Sequence, residues 1–229
     1  MLRAGDMQST ESARQALSGF CDAYWPPLYS FLRHRGYPSA DAQDLVQSFF
    51  AYLLKQNALI RADQQKGKLR TFLLGSLQNF LFNEYDRARA LKRGGGCQMV
   101  SIEENLPDAE AAMLATSHLS DTGCYDFVWA SNIVTRAWQH LQSAFLAEGK
   151  AEWLEELRPF VAGGSVKPPN QEEAAARLGV PIATLRTWLS RLRHRYRDAL
   201  RMEVAHTVSD PKDIDQELQY LYQMLVRMS

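Results

Sequence analysis

The chain has 229 residues, 46% of them hydrophobic, and its 26 Lys and Arg balance its 26 Asp and Glu, so its formal net charge is zero. Such a length and apolar content describe a globular chain with one large or two small cored domains. Neutrality excludes a protein that grips DNA through bulk positive charge alone, because counterion release needs clustered Lys and Arg.

The cations are then unevenly distributed, or a larger partner supplies most of the grip. No secretory apolar segment follows Met1 and no uninterrupted apolar run reaches the ~18 residues of a membrane span. The expectation is a soluble, cytoplasmic chain without a membrane partner. Cys21, Cys97 and Cys124 are odd in number and far apart, which fits free thiols better than a disulfide framework or a Cys-x-x-Cys metal site. No metal and no other cofactor is implied.

In chain order, Ala13 to Arg93 reads as one helical block. Its clearest helix is Asp41 to Lys55, with Ala42, Val46, Phe49, Phe50 and Leu53 on one apolar side. Asp41, Asp44 and Ser48 share the other side, either as a solvated acidic face or as a docking face for a basic partner. The loop Gln64-Gln65-Lys66-Gly67-Lys68 is a surface turn or a close approach to a base edge.

A second helix, Lys68 to about Ala90, packs through Leu69, Phe72, Leu73, Leu77, Phe80 and Leu81. Asn79, Asn83, Arg87, Arg89, Lys92 and Arg93 make its remaining surface and far end polar and basic. Phe82 and Tyr85 beside them are either core or rings suited to unstacked bases on a single strand.

Gly94-Gly95-Gly96 lacks the Lys-Ser or Lys-Thr of a phosphate loop and reads as a joint. Periodicity stays weak to about Asp121, then returns over Asp126 to His140 and Lys150 to Phe160, with a loop from Gly163 to Pro169. Glu172 to Leu178 is rich in helix formers. Gly179 ends that helix and Pro181 opens the next. This is the pattern of a helix-turn-helix.

In its second helix Ile182, Leu185, Leu189 and Leu192 fall at core spacing, to pack on Ala175 and Leu178. Thr184, Arg186, Thr187, Arg191, Arg193 and Arg195 supply donors for phosphates and guanine edges in a major groove. An ordinary solvated helix is the bland alternative; the Gly-Val-Pro turn favours DNA. Pro211 to Met228 gives a last amphipathic helix with Ile214, Leu218, Leu221 and Leu225 on one face. Its leucine face either closes over the preceding domain or receives a regulator. No stretch argues for a sheet, so the expected fold is all-α: two small helical domains joined by a flexible linker, the second containing the helix-turn-helix, plus a C-terminal tail helix.

The order of these motifs resembles bacterial RNA polymerase sigma factors of the extracytoplasmic-function group, which keep only the second and fourth sigma regions. DAQDLVQSFFAYLL looks like the helix that binds the clamp of the large catalytic subunit, and LRTFLLGSLQNFLFNEYDRARALKRGGG is similar to the helix and basic end that melt and read the minus-ten element. QEEAAARLGVPIATLRTWLSRLRHRYRDAL looks like the module that reads the minus-thirty-five duplex.

The resemblance implies a region 2-like domain at 13–96, a linker at 97–125, a region 4-like domain at 126–203 and the tail at 204–229. It places Asp41, Asp44, Gln47 and Ser48 at the polymerase interface, and Lys66, Lys68, Asn79 and Asn83 near the minus-ten element. Thr184, Arg186, Thr187, Arg191 and Arg193 would face the minus-thirty-five groove. The partners implied are core RNA polymerase and promoter DNA, with an anti-sigma protein or a Ser/Thr kinase as candidate regulators.

Two departures matter. Gln47-Ser48 stands where the family has Gln-Glu, so Ser48 is a candidate phosphorylation site whose phosphate, carrying about −1.5 to −2, would replace the missing acid. Ser48 as a small tolerated surface residue is the competing reading. Trp188 replaces a small or basic residue, to pack on a neighbouring helix or stack on sugar.

The alternative function is a dimeric helix-turn-helix regulator that acts without polymerase. An enzyme is not expected: the acidic pairs Asp41 with Asp44 and Glu103 with Glu104 have no His-rich or Cys-rich partner motif, and the five His residues are scattered.

Overall fold

The structure, a computed structural model, describes residues 4–56, 68–91, 119–161, 170–208 and 210–226, with side chains for 17–56, 68–85, 119–161, 170–208 and 210–226. Among the described residues every regular element is helical and none is a strand. In chain order these are α1 (Ala4–His34), α2 (Ser39–Lys55), α3 (Leu69–Leu91), α4 (Asp121–Ala147), α5 (Ala151–Leu157), α6 (Gln171–Arg177), α7 (Ile182–Ala205) and α8 (Ile214–Val226). Short 3-10 turns follow α5 at Arg158–Phe160 and precede α8 at Pro211–Asp213. The chain divides into two compact units, one of 1–132 with 205–216, the other of 133–204 with 217–229. The linker expected at 97–125 lies, for 97–118, outside the described residues.

In the first unit α1 packs on α2 and α3. Pro26 and Pro27 sit inside α1, where each missing N–H weakens the helix ladder by about 3 kcal/mol. Burial offsets this, since Tyr24, Leu28, Tyr29, Phe31 and Leu32 are all removed from water. Tyr29 also shares a 2.9 Å hydrogen bond with Ser39 at the start of α2. The apolar side expected for α2 is the core, with Ala42, Val46, Phe49, Phe50 and Leu53 buried. Phe49 meets Phe80 of α3 with ring centres 5.7 Å apart, and Phe50 meets Phe20 of α1 edge-on. Leu73, Leu77, Phe80 and Leu81 of α3 are buried as expected, whereas Leu69 and Phe72 are half-buried.

The helix expected from Asp126 begins at Asp121 instead. Ser120 caps it, its Oγ accepting the Gly123 N–H at 3.1 Å while its carbonyl takes the Cys124 N–H. A polar first turn carries no apolar period, so periodicity places the start too late. Asp121 also accepts from Arg35 Nε at 2.9 Å and lies 2.8 Å from His34 Nδ1, tying it to the end of α1. Those partners, Arg35 first, hold its carboxyl below the usual range.

Among the described residues the most buried charge in this unit is Arg70, near the start of α3 and 7% exposed. Its Nη1 lies 2.5 Å from Asp126 Oδ1, its guanidinium stands over the Trp129 ring, and its carbonyl accepts the Tyr125 hydroxyl at 3.1 Å. Desolvation raises the Tyr125 hydroxyl well above its ordinary pKa, so it stays a donor.

In the second unit the core joins Ile133, Ala137, Trp138 and Leu141 of α4 to Leu154 and Leu157 of α5, and to Leu185, Leu189, Leu192 and Leu200 of α7. Leu221 and Met224 of α8 are buried too. Tyr196 of α7 is pushed up to about pKa 12 by burial and by the nearby Tyr222 of α8. The tail helix thus packs in this unit from 217 onward, and Leu221 is the fully buried member of its expected apolar face; Ile214, Leu218 and Leu225 are half-buried. Glu203 is 1% exposed and accepts from Arg136 Nε at 2.7 Å, with His140 Nε2 also 2.7 Å away.

Removing one partner of a buried ion pair strands the other, which costs about 3–5 kcal/mol, while apolar replacement of both is often neutral or stabilising. Arg70→Ala is therefore expected to lower the urea midpoint by that much stability, and Arg70→Met with Asp126→Leu to restore most of it. Equilibrium urea unfolding of the three chains checks this.

Candidate nucleic-acid interface

On α3 the inward residues set the outward ones. With Leu73, Leu77, Phe80 and Leu81 buried, Asn79, Phe82, Asn83 and Tyr85 face solvent. Phe82 is 67% and Tyr85 61% exposed, and they stand one helical turn apart. The two amides at positions 79 and 83 share that turn spacing. The result is a stripe of two π-faces and two amide groups, each amide able to donate and accept. Lys68, half-buried, sits just before this helix. Arg87 and Arg89 lie on the α3 backbone, with side chains outside the described residues, as are Lys66, Lys92 and Arg93 altogether.

On α2, Asp41 is exposed in the first turn, where a negative charge favours the helix dipole. Asp44, Gln47 and Ser48 are half-buried. Helical spacing keeps Asp41, Asp44 and Ser48 on one side, so the expected grouping is retained, with Ser48 less open than a surface position.

The paired helices α6 and α7 are built by local chemistry. Asn170 caps α6, its Oδ1 accepting the Glu172 N–H at 2.9 Å. At the other end Gly179 takes φ 65°, and the Gly179 and Val180 N–H groups close onto the Ala176 and Ala175 carbonyls. That left-handed residue is cheap only for glycine. The Pro181 carbonyl then accepts the first α7 bonds, from Thr184 and Leu185. Leu185, Leu189 and Leu192 point inward, as do Ala174 and Ala175 of α6; Ile182 and Leu178 are half-buried.

The outward set of α7 does not form one basic face. At about 100° per residue, Arg186 and Arg193 fall along one edge and Thr184, Arg191 and Arg195 along the other, with Thr187 between. Arg186, Thr187, Arg191 and Arg193 are exposed, and Thr184 and Arg195 are half-buried. Several are engaged already. Arg186 reaches Gln171 at 3.4 Å, Thr187 donates to its own Ala183 carbonyl at 3.0 Å, and Arg193 donates to the Phe160 carbonyl at 3.3 Å. Arg195 pairs with Glu148 at 2.9 Å and lies over the Phe145 ring. Among the described residues Arg191 has no carboxylate partner.

Trp188 packs on a neighbouring helix, stacked on Trp153 of α5 with centres 4.2 Å apart and planes 17° off parallel. The two indoles help to line a pocket of about 180 Å³ together with Leu157, Leu192, Phe145 and Glu148, and with Lys150, Arg191 and Arg195. Sequence reading missed Phe145, Glu148, Lys150 and Trp153, because no periodic or motif signal links residues so far from Trp188. It also missed Arg70, which reads as an ordinary surface cation at a helix start.

The chain gives no significant match to a protein-family model, to a curated protein or to a solved structure. No helix among the described residues is long and apolar enough to cross a membrane. Cys21 and Cys124 are not in a disulfide, and the Cys21 thiol is raised in pKa by burial and then by the Asp22 charge; Cys97 lies outside the described residues. Among the described residues no three His, Cys, Asp or Glu side chains group closely enough to hold a metal.

Glu148 gives the pocket a pH signature. Hydrogen bonds from Lys150 and then Arg195 hold its carboxyl below the ordinary 4.5. A depressed carboxylate contributes stability that is present above 4.5 and is lost as pH falls through the folded value. Glu148→Gln should therefore lower the thermal midpoint slightly at pH 7, with the difference shrinking below 4.5 and closing once pH has fallen past the folded value, where both states are protonated. Thermal melts across that range read the difference directly.

Proposed function

We propose that this chain is a sigma-type initiation factor that binds core RNA polymerase and directs it to promoters. On this reading Asp41, Asp44, Gln47 and Ser48 of α2 meet polymerase, and the α3 stripe meets the separated minus-ten strand. Thr184, Arg186, Thr187, Arg191 and Arg193 of α7 meet the duplex further upstream. The reading assigns no catalysis to the chain and places its work in the cytoplasm.

The observation that carries it is the exposure of Phe82 and Tyr85 beside Asn79 and Asn83. A regulator that only reads duplex DNA has no use for stacking platforms, whereas a strand-separating factor needs rings for unstacked bases. The short α6–α7 turn and the arginines of α7 suit a groove-reading helix, and serve both a sigma factor and a dimeric regulator.

Co-elution with core polymerase and promoter-directed transcription in vitro test this reading. The wild-type chain is expected to co-elute, and Asp41→Lys with Asp44→Lys to abolish it. Phe82→Ala and Tyr85→Ala should keep co-elution but cut transcription by roughly 5- to 150-fold each, since base stacking is worth about 1–3 kcal/mol. Absence of co-elution, with a homodimer on bare duplex DNA, would establish the regulator instead.

We also propose that Ser48 is a modification site whose phosphate completes the acidic docking face. Ser48→Asp should then bind core polymerase at least several-fold more tightly than Ser48→Ala, and equal binding removes phosphorylation from the account.

A further inference from the structure

The second unit contains a feature that promoter reading does not require. The stacked indoles of Trp153 and Trp188 form an aromatic wall, and Phe145 lies nearby beneath Arg195. Three cations, Lys150, Arg191 and Arg195, line the same pocket against one carboxylate, Glu148. Glu148 is shared by Lys150 at 3.0 Å and Arg195 at 2.9 Å. Arg191, exposed at the pocket and uncommitted to any carboxylate among the described residues, leaves the cleft with excess positive charge.

Size and chemistry together narrow the occupant. At about 180 Å³ the pocket is close to the ~150 Å³ cavity that houses a benzene ring, and short of the ~300 Å³ of a drug-sized site. It has room for one planar ring system. An aromatic wall favours a flat π-system, and a guanidinium fork favours a phosphate through paired charge-assisted hydrogen bonds. A nucleotide meets both preferences when its base fills the pocket and its sugar and phosphate lie at the open mouth beside the exposed Arg191.

We propose that this pocket is a nucleotide-binding site, with the base against the Trp153 and Trp188 pair and the phosphate on Arg191. The nucleotide is either free or part of a single strand; the chemistry is the same. Binding of free nucleotide needs neither polymerase nor promoter, so failure here leaves the initiation-factor reading standing, and the reverse.

The test titrates the full chain with adenosine 5′-monophosphate, adenosine, inorganic phosphate and a short single-stranded adenine oligonucleotide, by indole fluorescence and calorimetry. Adenosine 5′-monophosphate is expected to quench the indoles and to bind at least tenfold more tightly than adenosine or phosphate. Arg191→Ala should weaken it at least tenfold with an unchanged circular dichroism spectrum. Arg197→Ala, a cation of the same helix outside the pocket lining, should leave it unchanged. If only the oligonucleotide binds, quenching the indoles and losing affinity in Trp153→Leu as well as in Arg191→Ala, the source is a strand and the site stands; loss in Arg191→Ala alone belongs to the DNA-facing helix and overturns the pocket. Binding of neither, or binding indifferent to Arg191→Ala, overturns it.

Discussion

The first unit is organised around one buried charge. Arg70 cannot be hydrated where it lies, so it is held by the Asp126 carboxylate and the Trp129 ring, while Tyr125 satisfies its carbonyl. These contacts fix both the height and the rotation of α3 against the start of α4. Once Arg70 and Leu73 face inward, helical spacing brings Leu77, Phe80 and Leu81 to the same side. Asn79, Phe82 and Asn83 must then turn outward. The solvent-facing stripe is thus a consequence of interior contacts that begin three helical turns earlier, and apolar burial alone would tolerate a small rotation that the ion pair does not.

The second unit uses a comparable device and spends its cations differently. Arg136 is drawn onto buried Glu203, Arg177 onto Glu156 and Arg195 onto Glu148. Each pair joins two helices, or a helix to the chain beside its end. The arginines that a linear reading assigns to DNA therefore divide into structural ones and available ones. Arg186 and Arg193 make only long single hydrogen bonds, and a guanidinium with five donors keeps capacity for a phosphate after one such bond.

Helix positions and most core residues were legible because apolar side chains repeat at the helical period: Val46, Phe49 and Leu53 in α2, Leu185, Leu189 and Leu192 in α7. The Gly179 turn was legible because its backbone accepts few residues other than glycine. The start of α4 was not, since Ser120 caps through a polar contact that leaves no periodic trace. The division of the α7 cations between two edges follows from helical spacing itself, but which of them are engaged was not legible: their partners, Phe160, Glu148 and Gln171, lie 15 to 47 residues away, and periodicity knows only about residues one turn apart. Trp188 looked like an anomaly for the same reason, its meaning residing in Trp153.

Charge neutrality now has a residue-level account. On the proposed reading, with Arg195 committed to Glu148, the α7 arginines assigned to the groove that remain for a duplex are Arg186, Arg191 and Arg193. Three phosphate contacts give a salt slope of only about −2.7, against about −10 for a repressor that grips DNA alone. A module with so shallow an electrostatic term recognises a groove only when something else holds it near the DNA. On the proposed reading that holding is done by polymerase through α2, so weak intrinsic grip in the second unit becomes a condition of specificity: a factor that bound duplex tightly by itself would be distributed over nonspecific sites before meeting its enzyme.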